Sequence, residues 1–166
     1  MVTRRLRQLN AALTAQLSPA DEELVAALLN PAEQRLFARM PLFDRRHCLD
    51  VHNTLVRGGH TDVALLKAAL LHDCGKVDDQ GRSIPLVYYG IFVVLQAGAP
   101  ALYRRAVHHG RGILWPFAIH AQHDQRSTQL AAAAGSPAQT IEILHDYGAQ
   151  RQLPATRLLA WADEEN

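Results

Sequence analysis

The chain has 166 residues, 48% of them hydrophobic, and its 17 Lys and Arg against 16 Asp and Glu leave a formal net charge of +1. This length is typical of one domain with its own core, and the balanced charge argues against binding to a nucleic-acid polymer or anionic lipid by bulk electrostatics. The basic start, residues 4–7, lacks a following apolar segment, and the longest apolar stretch, residues 84–95, is too short to span a membrane. We therefore expect a cytoplasmic protein.

Leucine and alanine dominate, and apolar residues recur three and four positions apart, which predicts an all-α protein. Ser18 is expected to cap a helix that starts at Pro19, and Thr61 to cap a central helix rich in Ala and Leu. Residues 84–95 could form a buried strand or a buried helix, and helix is preferred because no partner strand is visible. The other predicted helices cover residues 5–17, 31–40, 43–57, 62–74, 100–109, 116–134, 137–147 and 156–163.

The most informative feature is His72-Asp73, which follows the apolar run Ala68–Leu71 and precedes Lys76. Polar groups are costly where packing alone would favour leucine, so the doublet suggests a metal site. His47 lies on the preceding helix, and two antiparallel helices would bring it to the doublet. Two imidazoles and a carboxylate suit Fe, Mn, Zn or related divalent ions.

The chain has nine histidines and two cysteines, and most of them need no function. A single histidine is usually solvated or hydrogen-bonded, and free cysteines are usually small buried thiols. We expect the cysteines to be buried thiols and the following histidines to be structural: His52, His60, His108, His109 and His120.

His47, the doublet within residues 71–76 (Leu-His-Asp-Cys-Gly-Lys) and the late Asp163 together resemble the HD superfamily of metal-dependent phosphohydrolases, which is named for this doublet. The resemblance covers residue 46 to the C-terminus. It implies a single-domain helical bundle, with residues 41–166 as the HD domain and residues 1–40 as a helical extension packed on it.

The resemblance also implies which residues form the site. His47, His72, Asp73 and Asp163 would bind one divalent ion, and Asp73 and Lys76 would be catalytic, with Lys76 near the substrate phosphate. Asp163 has an alternative interpretation as a solvated acid in an acidic C-terminal run.

A second set of residues resembles the longer site of family members that hold two metals. His123 matches a histidine of those members, although Ser127 stands where glycine is usual. The histidine pair expected on the next helix reads His145-Asp146. Asp146 would ligate or bridge as a carboxylate, or the second ion would be weak or absent. Phe43 stands where some two-metal members carry a glutamate.

Two substrate classes of the family are disfavoured. No Gly-Tyr-Pro follows His145, unlike in the cyclic-dinucleotide phosphodiesterases. The stringent-response hydrolases carry Glu-Asp where this chain has Lys76-Val77.

The expected function is hydrolysis of a small phosphorylated substrate, such as a nucleotide, by metal-activated water. The cofactor would be one or two divalent ions, drawn from Mn, Fe, Co, Ni, Zn or Mg. The alternatives are a non-catalytic HD module that binds a nucleotide or partner protein, and a purely structural protein. Substrate and oligomeric state are not specified.

Overall fold

The computed structural model describes residues 16–149 and 152–166. In these ranges the secondary structure is helical except for one isolated bridge between Val77 and Ser83, which confirms the predicted all-α class. The helix predicted over residues 5–17 lies outside the described residues, apart from Gln16 and Leu17, which are not helical.

We number the α-helices of the described part in chain order. They are α1 (Pro19–Leu28), α2 (Pro31–Arg39), α3 (Leu42–Arg57), α4 (Val63–Leu71), α5 (Leu86–Gly98), α6 (Pro100–His109), α7 (Trp115–Ala133), α8 (Ala138–Ala149) and α9 (Pro154–Glu165). Short 3-10 turns span Cys74–Lys76 and Gly112–Leu114.

The first two helices begin where their capping residues predict. The Ser18 side chain accepts a hydrogen bond from the Asp21 amide, and the Asp21 carboxylate accepts one from the Ser18 amide. Asn30 and Glu33 form the same reciprocal pair at the start of α2. Each reciprocal pair, known as a capping box, satisfies backbone amide groups that have no partner within the helix. The proline at the first helical position costs no hydrogen bond, because the amide proton that it lacks would have no partner there.

The central helix differs from its prediction at both ends. Asp62, not Thr61, is the cap, because its carboxylate accepts a hydrogen bond from the Leu65 amide at 2.8 Å. The α-helix ends at Leu71, and the chain tightens into the 3-10 turn, in which the Lys76 amide donates to the Asp73 carbonyl at 3.0 Å. The doublet therefore lies in the turn directly after α4.

Helix α4 lies at the centre of the main core. Every residue from Ala64 to Leu71 is buried, and side chains from α1, α2, α3, α7, α8 and α9 complete the same cluster. Removal of this apolar surface from water is the main force that holds the helices together. Val25 and Phe37 belong to this core, although both precede residue 41, and the domain boundary drawn there stays a prediction.

A smaller cluster joins α5, α6 and α7 around Phe92 and Phe117. The helix expected over residues 84–95 is confirmed from Leu86 onward. Ile84, just before the helix, is buried, but the expected burial of the helix itself is wrong. Among the residues of α5 only Phe92 is buried, and Val87 and Val94 are 67% and 68% exposed. Apolar residues on both faces hid the amphipathic period from sequence reasoning. No helix in the described part has the length and apolarity needed to cross a bilayer.

Candidate metal centre

The doublet meets side chains from α3 and α9 at the end of α4. His47 Nε2 lies 2.9 Å from Asp163 Oδ1 and 3.9 Å from Asp73 Oδ2. His72 Nε2 lies 3.6 Å from Asp73 Oδ1 and 3.9 Å from Asp163 Oδ1. The structure thus brings together the residues that the family resemblance implies as ligands of one ion.

The hydrogen bond of His72 assigns its proton. His72 Nδ1 lies 2.9 Å from the Ala69 carbonyl oxygen, which can only accept, so Nδ1 carries a proton, and in the neutral ring that a metal requires Nε2 presents the lone pair. His72 is 2% exposed, and Nε2 has no hydrogen-bond partner within the described residues. A buried lone pair that faces carboxylate oxygens is repelled unless a cation lies between them. This donor set therefore fits a metal ion.

The spacing of the donor atoms agrees with that fit. Ligand atoms about 2.0–2.2 Å from a divalent ion, at angles of about 90–110°, are about 2.8–3.6 Å apart. His47, His72 and Asp163 each offer one ligand atom, and these three atoms lie within 4.8 Å of one another. Asp73 lies beside them, with one oxygen 3.9 Å from His47 Nε2 and the other 3.6 Å from His72 Nε2, so its carboxylate would have to turn to join the same ion.

Both carboxylates are in the ionised form that a metal needs. Burial by itself would raise the pKa of Asp73, but the charges of Lys76 and the nearby histidines hold that pKa well below its usual range. Burial of Asp163 is likewise outweighed by a hydrogen bond with His47 and by the histidine charges, so its pKa is also lowered. Burial opposes the charging of His47, but these two carboxylates raise its pKa overall.

Neighbouring groups fix the position of the ligands. The Tyr147 hydroxyl of α8 donates to Asp163 Oδ2 at 2.7 Å, which leaves Oδ1 facing the histidines. Ser127 Oγ of α7 donates to the His72 carbonyl at 2.6 Å and accepts from the Gly75 amide at 2.9 Å. A serine at the position where the family usually has glycine therefore ties both sides of Asp73 to α7.

Gly75 is required by the close approach of α7. A methyl group at this position would overlap the His123 carbonyl oxygen and would come within 2.6 Å of the Ser127 amide nitrogen. Both are backbone atoms, so the obstruction cannot move aside easily. The glycine of the Asp-Cys-Gly-Lys segment thus allows the turn to pack against the helix that carries His123.

Lys76 adds a fixed positive charge. Its Nζ is 2.5 Å from Asp73 Oδ2 and 3.9 Å from Asp44 Oδ1, and lies 5.4 Å from the centre of the Tyr89 ring. The acidic neighbours raise the pKa of Lys76 despite its burial. The ammonium group is therefore charged throughout the physiological range.

Sequence reasoning missed Asp44, which is 4% exposed and faces this cation. Burial and the charge of Asp73 raise the pKa of Asp44 to about 7, against the opposing charges of Lys76 and His47. The available signal was its position three residues before His47, which places both side chains on one side of α3.

The second set of predicted residues is only partly brought together. His123 Nε2 lies 3.8 Å from Asp73 Oδ1. His145 is exposed on α8, and Asp146 Oδ2 instead accepts a hydrogen bond from the Leu153 amide before α9 at 3.0 Å. In the described part, no ion pair connects His145 or Asp146 to His123 or Asp73.

Cys48 also lies near the doublet, with its Sγ 3.8 Å from His72 Nδ1. That nitrogen already donates to Ala69, so it has no lone pair for a metal. Burial raises the pKa of Cys48 well above its usual value and that of Cys74 to about 12. Both cysteines are therefore buried neutral thiols, as predicted.

His120, predicted to be structural, packs against Phe92 with ring centres 4.2 Å apart, and its Nδ1 pairs with the Tyr103 hydroxyl at 2.8 Å. Burial and the charges of His123 and Lys76 lower the pKa of His120 to about 4. His120 is therefore uncharged near neutral pH and packs beside the ring of His123.

No protein-family model, no curated protein and no solved structure matches the chain. The resemblance to the HD superfamily therefore depends only on the motif residues of this chain.

Proposed function

We propose that the protein is a metal-dependent phosphohydrolase of the HD type that acts on a small phosphorylated substrate such as a nucleotide. One observation carries the proposal: the buried, unpaired Nε2 of His72 faces the carboxylates of Asp73 and Asp163. A structural histidine would use both ring nitrogens or expose one of them to water. The adjacent ammonium group of Lys76 adds an anion-binding function to the metal site.

His47, His72, Asp73 and Asp163 would hold the ion. When bound, a divalent ion lowers the pKa of a coordinated water to near neutrality and withdraws charge from phosphoryl oxygens. Imidazole and carboxylate ligands together favour Mn, Fe, Co, Ni or Zn over Mg, which prefers oxygen ligands.

The remaining residues would orient the reactants. Lys76 would bind a phosphoryl oxygen as a point charge, and Asp44 and Tyr89 limit where its ammonium group can lie. Tyr147 keeps one oxygen of Asp163 occupied, so that the other oxygen stays directed at the histidines. Ser127 holds the turn that carries Asp73.

Metal analysis followed by hydrolysis assays tests the proposal. The purified protein is analysed for bound metal and then assayed on a panel of phosphomonoesters and nucleotides with Mn, Fe, Co, Ni, Zn or Mg added. His72→Gln should lose both the metal and the turnover. His109→Gln, at an exposed histidine of α6, is the matched control and should keep both.

The alternatives predict different results. Bound metal with no turnover on any panel member would favour a non-catalytic module that binds a nucleotide or a partner protein. Absence of bound metal under every condition would exclude the enzyme and would favour a purely structural role for the histidines.

A further inference from the structure

Residues 80–123 carry a local excess of positive charge. They contain four arginines and neither Asp nor Glu, whereas the whole chain has a net charge of only +1. Arg82 pairs with Asp78. The other three arginines are exposed and form no ion pair within the described residues: Arg104, Arg105 and Arg111. The balanced total charge thus conceals a basic surface, to which the expectation drawn from net charge does not apply.

Helix α5, which packs against the arginine-bearing α6, exposes an apolar side that we call the α5 face. Val87, Ile91 and Val94 recur at helical spacing on this side, and all three are exposed. Gly90 and Gly98 flank them, and a methyl group on either glycine would meet nothing within 4 Å, so no other described element covers the α5 face. The polar residues of the helix lie on its other sides: Tyr88, Tyr89 and Gln96. The α5 face therefore offers neither a charge nor a hydrogen-bonding side chain.

The turn between α6 and α7 extends this apolar surface. Ile113, in the 3-10 turn Gly112–Leu114, is 80% exposed. The turn lies beside the start of α5, because the Tyr88 hydroxyl donates to the Ile113 carbonyl at 2.8 Å. Gly112 has a φ of 55°, a conformation that favours glycine, and it bends the chain sharply between Arg111 and Ile113. The bend presents a charged and an apolar side chain to solvent next to each other.

These features together indicate the chemistry of a partner. A protein partner usually forms about one hydrogen bond per 100–200 Å² of interface, and the α5 face has no side chain for such a bond. In a symmetric dimer a second copy would bring the same three arginines together, and they would repel one another. A bilayer of anionic phospholipid provides hydrocarbon for the apolar residues and negatively charged headgroups for the arginines.

We propose that the α5 face and Ile113 lie on the surface of an anionic phospholipid bilayer, with the three exposed arginines at its headgroups. The helix lies in the plane of the interface, so it does not need the length of a membrane span. Arginine suits this position because its guanidinium group stays charged and binds phosphate through two parallel hydrogen bonds. The inference goes beyond the proposed function and does not depend on it, because none of these residues belongs to the candidate metal centre.

Sedimentation of the full-length protein with phospholipid vesicles tests this proposal. The protein should sediment with phosphatidylcholine vesicles that contain about 30% phosphatidylserine, and should bind vesicles of phosphatidylcholine alone about tenfold more weakly. An increase of the NaCl concentration from about 0.1 M to about 0.5 M should weaken binding to the anionic vesicles several-fold, because salt screens the charges of the arginines.

Matched variants assign the binding to this surface. Arg105→Gln and Val94→Ser should each lower the partition coefficient on anionic vesicles by about fivefold. Arg35→Gln on α2 and Val56→Ser on α3 are the controls, because both residues are exposed on other helices and their variants should bind like the wild type. Circular dichroism of each variant verifies folding, and Val87→Ser repeats the test at a second exposed position of the α5 face.

Failure of the wild type to sediment with anionic vesicles would overturn the inference. Equal binding by Val94→Ser and Val56→Ser would also overturn it, because another surface would then hold the lipid. If vesicles do not bind, a dimer in analytical ultracentrifugation that Val94→Ser dissociates would assign the α5 face to a second copy. Binding of polyglutamate but not of vesicles would assign the arginines to an acidic protein. Metal analysis and the hydrolysis assays test the proposed function separately, so either proposal can fail alone.

Discussion

Replacement of Ser127 by alanine should destabilise the turn that carries His72-Asp73 without changing any residue of the candidate metal centre. Ser127 is 1% exposed, and its hydroxyl is bonded to the His72 carbonyl and to the Gly75 amide. Both backbone groups are buried, so water cannot easily replace the hydroxyl. An unpaired buried group costs about 1–3 kcal/mol, and we expect the variant to lose about 2–4 kcal/mol of unfolding free energy.

Urea denaturation of the metal-free protein measures this loss as a lower midpoint with an unchanged slope. Thr128→Ala, at the next residue of α7, is the control, because its hydroxyl bonds only to the Asp124 carbonyl within the same helix. The control should change stability by no more than about 0.5 kcal/mol. A loss in Ser127→Ala as small as in the control would refute the argument that these bonds hold the turn.

Glu33→Gln should lower stability by about 3 kcal/mol near pH 7, because it leaves the buried Lys67 ammonium without its partner at 2.7 Å. Burial opposes the ionisation of Glu33, but hydrogen bonds from Lys67 and Ser136 lower its pKa below the ordinary value of 4.5. The contribution of the Glu33 carboxylate to the free energy of unfolding is therefore complete above pH 4.5 and is lost as the pH falls through the lowered pKa of the folded state. Urea curves of both proteins from pH 7 to pH 3 should therefore converge at the acid end, and a constant difference would contradict this assignment. Tyr147→Phe removes the hydroxyl that binds Asp163 and should weaken Mn(II) binding by about tenfold in calorimetry, whereas equal affinities would show that Tyr147 does not orient the ligand. Lys76→Gln should keep the bound metal and raise KM for a phosphomonoester by about tenfold or more, since the phosphate loses a charged partner. An unchanged KM would remove Lys76 from the substrate site.

Much of the helical framework could be predicted from local chemistry. Ser18 and Asn30, each followed by proline, cap α1 and α2 at the expected residues because capping involves only the backbone of the first turn. Thr61 and Asp62 compete for the same position, and residue type alone does not decide between adjacent capping residues. The buried run of α4 was recognisable because an almost continuous apolar helix must lie at the centre of a bundle.

Within the candidate metal centre, the sequence alone could predict only the proximity of residues that are close to the doublet in the chain. His72-Asp73 and Lys76 lie within one turn of chain, so their proximity follows from local geometry. Asp44 was missed, because a carboxylate one turn from a histidine is common in helices and only the packing shows that it is buried and faces Lys76. His145 and Asp146 were predicted as ligands, but the structure does not bring them to the doublet. The Asp146 carboxylate instead accepts a hydrogen bond from the Leu153 amide at the start of α9.

The sequence by itself determined the helical class, the caps of the first helices and the residue types at the doublet, because propensity, capping and the side chains of one turn depend on residues close together in the chain. Only the tertiary structure decided which distant residues meet. His47 and Asp163 come within 2.9 Å through the packing of α3 and α9 around α4. The same packing directs Asp146 away from the doublet, where its carboxylate accepts a hydrogen bond from the Leu153 amide.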